Sequence, residues 1–145
     1  MTTNASSLPS ADSREGAALR ERAAAAMSNA YAPYSGFRVG AALLGADGSV
    51  TEGCNVENAS YPAGLCAERA AVAAAVARGV REFAAIVICT EAESPTPPCG
   101  ICRQVLMEFA PQLEVRSVTR GGAVAQWSMS DLLPQAFTPT SLGRR

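Results

Sequence analysis

The chain has 145 residues, 48% of them hydrophobic and 17% charged, which is enough to bury one core and too little for two ordinary domains. A formal net charge of −1, with no basic run and no interleaved aromatics and arginines, excludes the electrostatic footprint of a nucleic-acid binder. No basic leader precedes an apolar segment, and no apolar run approaches the ~18 residues that span a membrane, so the expectation is a cytoplasmic protein with no membrane contact.

In chain order, residues 1–12 are expected to form a disordered tail, 13–138 a single domain and 139–145 a C-terminal tail. An amphipathic helix runs from Asp12, with Glu15 in capping-box position, through Leu19, Ala23, Ala26 and Met27 to Ala30. AYAPYSGF breaks it. Phe37 to Leu44 and Val50 to Val56 then read as a hairpin, turned by Asp47-Gly48. After the loop ENASYPAGL, Ala67 to Arg78 is a helix closed by Gly79 as its C′ residue.

Phe83 to Thr90 is a short, β-branched apolar run and predicts a buried strand. Prolines in EAESPTPP lead into a helix over Gly100 to Ala110, stopped by Pro111. Leu113 to Arg120 and Val124 to Ser128 read as strands separated by Gly121-Gly122, and SDLLPQAF as a last helical turn capped by Ser130. A hairpin followed by alternating helices and strands implies an α/β sandwich. In it, the strand 83–90 lies between helices that begin at Cys66 and near Cys99, so two helix N-termini can point at one place.

Five cysteines and no histidine, without an export signal, argue for metal or thiol chemistry over a disulfide framework. Cys66 opens one helix; Cys99 and Cys102, in PCGIC, open the other, where free N–H groups and the dipole favour thiolate. Three thiolates with one open position make the arrangement of a catalytic zinc. Glu68 can lean over the open position as a general base, and Arg69, at i+3 from Cys66, can withdraw charge from the sulfurs. Two other readings stand beside this one. Cys54 or Cys89 could close a structural four-sulfur site, although a structural site has no use for Glu68, and Cys89 alternates with buried residues of its strand. PCGIC beside a strand and helix also fits a redox dithiol, which leaves Cys66 and Glu68 without a role.

CAE at 66–68 followed by PCGIC at 98–102 resembles the zinc nucleoside deaminases, whose signature H-x-E…P-C-x-x-C here carries cysteine for histidine. The three-cysteine form, with SGFRVGAALL at 35–44, GCNVENASY at 53–61, CRQVL at 102–106 and LLPQAF at 132–137, is similar to the small homotetrameric cytidine deaminases over about residues 14–138. The resemblance implies a three-layer α/β/α sandwich with a mixed central sheet and one Zn2+ per chain on Cys66, Cys99 and Cys102. Glu68 would shuttle protons in the hydrolysis of cytidine and 2′-deoxycytidine to uridine and 2′-deoxyuridine, in pyrimidine salvage. Asn55 and Glu57 would grip the ribose 3′-hydroxyl, with Val56 between them; Phe37 would pack on the pyrimidine and the Ala67 backbone would meet its polar edge. Tyr61 and Phe137 would contact a neighbouring subunit's active site in a homotetramer. Another aminopyrimidine nucleoside, or a non-catalytic zinc module, remains as the alternative.

Overall fold

A computed structural model describes residues 8–144. Five strands form one sheet: β1 (Val39–Gly45), β2 (Val50–Cys54), β3 (Phe83–Thr90), β4 (Glu114–Thr119) and β5 (Val124–Ser128), in the order β2-β1-β3-β4-β5. β3 and β4 are parallel and every other neighbouring pair is antiparallel, so the sheet is mixed. The parallel pair needs a crossover, which α3 (Gly100–Phe109) supplies.

Strand alternation divides the core into two faces. Ala41, Leu43, Ile86, Ile88 and Val115 point to the side covered by α2 (Ala67–Ala77), α3 and α4 (Met129–Leu132). Ala42, Val87, Cys89 and Val118 point the other way, against Leu19, Ala23 and Met27 of α1 (Arg14–Ser28). The result is the expected three-layer α/β/α sandwich with a mixed central sheet.

Two glycines let helices touch the sheet backbone. A Cβ on Gly40 would lie 2.0 Å from the Ala23 carbonyl oxygen of α1, and one on Gly53 would lie 2.3 Å from the Ala67 carbonyl oxygen and 2.5 Å from the Ala71 nitrogen of α2. Gly53 therefore sets how closely the start of α2 rides on β2.

The helix boundaries differ from expectation where a better cap was one or two residues away. Ser13, not Asp12, caps α1, its Oγ accepting from Gly16 N at 3.0 Å. Ser128, not Ser130, caps α4 in a reciprocal capping box with Asp131. Neither Phe37 nor Val56 belongs to the hairpin ladder. Asn55 Oδ1 accepts from Val39 N and its Nδ2 donates to Phe37 O, both at 2.8 Å, so beyond the last backbone bond, from Asn55 N to Val39 O, a side chain takes the ladder's place.

Of the tail expected over 1–12, residues 1–7 lie outside the described residues and the remainder is docked. Leu8 is buried, its N–H donates to Glu114 Oε2 at 3.1 Å, and the Pro9 carbonyl accepts from Arg116 Nη2 at 2.7 Å. Near the other end, Pro139–Leu142 forms a 3-10 turn closed by Gly143 in left-handed conformation.

Candidate functional site

The connections on either side of β3 bring two helix N-termini to one end of the sheet. The short link after α2 runs straight into the start of β3, so α2 lies antiparallel to the strand and begins beside the strand's C-terminal end. The loop that leaves that same end leads into α3. Cys66 is the N-cap residue of α2 and Cys99 that of α3, and neither side chain caps its own helix. Cys102 follows one turn into α3 and is fully buried.

The sulfurs of Cys66, Cys99 and Cys102 lie within 4.8 Å of one another, and those of Cys66 and Cys99 are 3.8 Å apart. Three thiols at such separations match a tetrahedron with bonds of ~2.3 Å, whose edges are ~3.8 Å, the geometry of sulfur-ligated zinc. No other residue closes the site: among the described residues these three form the one cluster able to hold a metal. Cys89 is packed in the core on the α1 face, and Cys54 alternates with Gly53 and lines a hollow beside Arg22 of α1 and Asn29, which ends that helix. Both point away from the trio, so neither supplies the fourth ligand of a structural site.

The electrostatics of the site separate its groups. A hydrogen bond from the Cys102 thiol, against the opposing effect of burial, and the Arg69 guanidinium bring the Cys66 thiol down to about 5. Arg69 Nη2 donates to Cys66 Sγ at 3.6 Å and to the Gly64 carbonyl at 3.3 Å, while its Nε is buried with no partner among the described residues. Cys102 goes the other way: donating to the Cys66 sulfur, buried, and facing Glu68, it holds its proton far above the usual thiol range. Glu68 is 5% exposed, and its Oε2 lies 3.6 Å from Cys102 Sγ. Its carboxyl is pushed up, first by burial and then by the negative Cys66 sulfur, against backbone hydrogen bonding. A carboxyl so placed holds a proton more readily than a surface one, as an acid–base catalyst requires.

Glu68 and the sulfurs of Cys66 and Cys99 face a cleft of about 460 Å³, a size suited to a small organic ligand. Phe37, Asn55, Val56, Glu57, Tyr61, Ala67 and Arg69 all line it, so the structure gathers the residues expected to touch substrate within the same chain. Glu57 accepts from the backbone N–H groups of Tyr34 (2.8 Å) and Ser35 (3.2 Å) and from the Ser35 hydroxyl. The Ser35 hydroxyl, followed by the Tyr34 and Ser35 amides, holds the Glu57 carboxylate below its usual range. Phe137 is not in this cleft; the residue is 59% exposed, and its carbonyl accepts from Gln104 Nε2 at 2.8 Å.

Residues that the sequence did not single out also shape the cleft. Thr96 and Pro97 form a wall of it, and Thr96 N donates to Ser117 Oγ at 3.0 Å. Ser35 buttresses Glu57 while its Oγ accepts from Phe37 N at 3.0 Å. That i to i+2 bond next to Gly36, at φ 66°, is a turn signature that YSGF carries in the sequence.

The family described as the cytidine and deoxycytidylate deaminase zinc-binding region matches residues 14–116. The cytidine deaminase of Halalkalibacterium halodurans is 46% identical over 121 residues, covering 83% of this chain and 92% of that one. The Mycobacterium tuberculosis cytidine deaminase is 43% identical over 126 residues, 87% of this chain and 92% of its own. The crystal structure of cytidine deaminase from Burkholderia pseudomallei superimposes with a TM-score of 0.81 at 54% identity, covering 83% of this chain and 98% of that chain.

Proposed function

Because this chain belongs to the cytidine and deoxycytidylate deaminase family, we propose that it hydrolyses cytidine and 2′-deoxycytidine to uridine and 2′-deoxyuridine with release of ammonia, as a cytoplasmic homotetramer serving pyrimidine salvage. The observation that carries the reading is Glu68, a buried carboxyl beside three clustered thiols at the floor of a nucleoside-sized cleft.

Cys66, Cys99 and Cys102 would hold the family's zinc, whose Lewis acidity makes water nucleophilic near neutral pH. Glu68 takes a proton from the attacking water and delivers it to N3 of the ring as oxygen bonds to C4. It then passes the second proton to the exocyclic nitrogen, which leaves as ammonia while the C4 carbonyl forms. Arg69 offsets the charge of the thiolates. Phe37 packs against the base, and the N–H of Ala67, in the first turn of α2 and so without an intrahelical partner, meets its polar edge.

Asn55 and Glu57 suit a ribose hydroxyl for a countable reason. With one amide hydrogen given to Phe37 O and one lone pair to Val39 N, Asn55 retains a single donor. Glu57 receives three hydrogen bonds and retains one acceptor site. One donor and one acceptor are what a 3′-hydroxyl needs. Tyr61, at the cleft rim, and Phe137 would meet neighbouring subunits.

The test is the ultraviolet change when cytidine is added to the zinc-loaded protein, with Glu68→Gln as control. Turnover is expected in the parent, with a loss of at least ~10²-fold in a variant that keeps its zinc. A parent that binds zinc and leaves cytidine intact would refute the reading.

A further inference from the structure

Two consecutive side chains of α3 tie the C-terminal segment to the metal centre. Arg103 Nε donates to the carbonyl of Pro98, the residue before Cys99, and its Nη1 to the carbonyl of Leu132, both at 2.8 Å. Gln104 Nε2 donates to the carbonyl of Phe137, also at 2.8 Å. Between those two anchors Gln135 adopts φ 59°, the only left-handed non-glycine residue among the described ones. A residue with a side chain persists in that region when both flanks are held. Phe137 itself, meanwhile, is exposed, with its carbonyl held by Gln104.

We propose that Arg103 and Gln104 are positioning residues that lock the segment 132–137 onto α3. The helix that supplies Cys99 and Cys102 to one active site thereby also sets the reach of the Phe137 ring offered to the next. A chain's metal site and the aromatic it lends move as one body. This rests on the reading that Phe137 completes a neighbouring site, and the two can be separated by experiment.

Gln104→Glu keeps the shape of the side chain and removes its N–H donor. Parent chains are assembled with an excess of chains made inactive by Glu68→Gln, so that activity comes only from parent sites beside inactive neighbours. In this control the KM for cytidine equals that of the parent. When the inactive chains also carry Gln104→Glu, KM at the parent sites is expected to rise about 5- to 10-fold with kcat within about 2-fold, because an aromatic displaced by ~1 Å binds the base poorly. A role confined to folding its own chain would leave those parent sites unmoved.

Inactive chains carrying Phe137→Ala are the reference. If they raise KM and the Gln104→Glu chains do not, the coupling is overturned while the shared site stands. If neither raises it, the shared site falls and the coupling with it. Zinc content of the assemblies confirms that every chain is folded, and Gln104→Leu replaces Gln104→Glu if the latter is not incorporated.

Discussion

Glu68 occupies a place where an ionised carboxylate is costly, and that cost is legible in its raised pKa. With burial as the main cause, the folded-state value lies above the unfolded one. Stability from this group is then full below the unfolded pKa and falls as pH rises through the folded pKa. Glu68→Gln removes that fall. The metal-free variant should melt above the metal-free parent at pH 8, by about 2–4 °C for each kcal/mol relieved, and the gap should shrink toward pH 4. Thermal melts of both proteins in chelator check this, and a gap independent of pH would contradict it. Arg69 makes the opposite contribution, adding a positive charge where sulfur accumulates negative charge. Arg69→Gln keeps some hydrogen-bonding capacity and loses the charge, so zinc affinity or kcat should fall about 10- to 100-fold, as measured by competition with a chromogenic chelator and by turnover. Unchanged values in both would make Arg69 a loop anchor to Gly64 and nothing more.

At the scale of elements, the active-site helix is held at its height by one missing methyl group. A Cβ on Gly53 would meet the backbone of α2 on both sides of Glu68, and backbone cannot rotate away as a side chain can. Gly53→Ala should therefore cost about 1–3 kcal/mol in a denaturant titration and lower kcat as well, because the shift lifts Cys66 and Glu68 together. Stability lost with kcat intact would show that α2 is free to ride higher. The same helix illustrates what could be read in the sequence. Its Ala/Val run, the Gly79 stop and the apolar strand 83–90 rest on local periodicity, and the structure keeps all three. The thiol trio was equally legible, since cysteines at two helix starts leave few other uses. Strand ends and caps were not, because they depend on which of several nearby side chains wins the backbone: Asn55 displaces ladder bonds, and Ser13 and Ser128 cap in place of the residues expected. Ser35, Thr96 and Arg103 reach Glu57, Ser117 and Leu132, partners 21 to 29 residues away, a distance over which no periodic pattern carries information.

Across the whole molecule, the docked segment that begins at Leu8 binds Glu114 and Arg116 of β4 through its backbone, and the thiol trio joins α2 to α3. A metal that binds the folded trio and not the unfolded chain stabilises the fold by about 2.7 kcal/mol at a concentration one hundred times Kd. Stripping it should lower Tm by about 5–10 °C, and added zinc should restore it. Several large aromatic and aliphatic residues stay exposed. Tyr61 is 76% exposed and packs edge-on against Tyr34, itself exposed, at the rim of the cleft, while Phe137 and Ile101 are exposed near the flank and start of α3. Large apolar side chains grouped around a site are characteristic of an interface. If neighbouring chains cover them and Phe137 completes the neighbour's cleft, dissociation must weaken substrate binding before it touches the metal. Diluting the zinc-loaded protein through its assembly midpoint, followed by sedimentation, should then raise the KM for cytidine while zinc per chain stays constant. An isolated chain with the same KM as the assembly would show that each cleft is complete alone, and Tyr61 and Phe137 would serve assembly without serving the substrate.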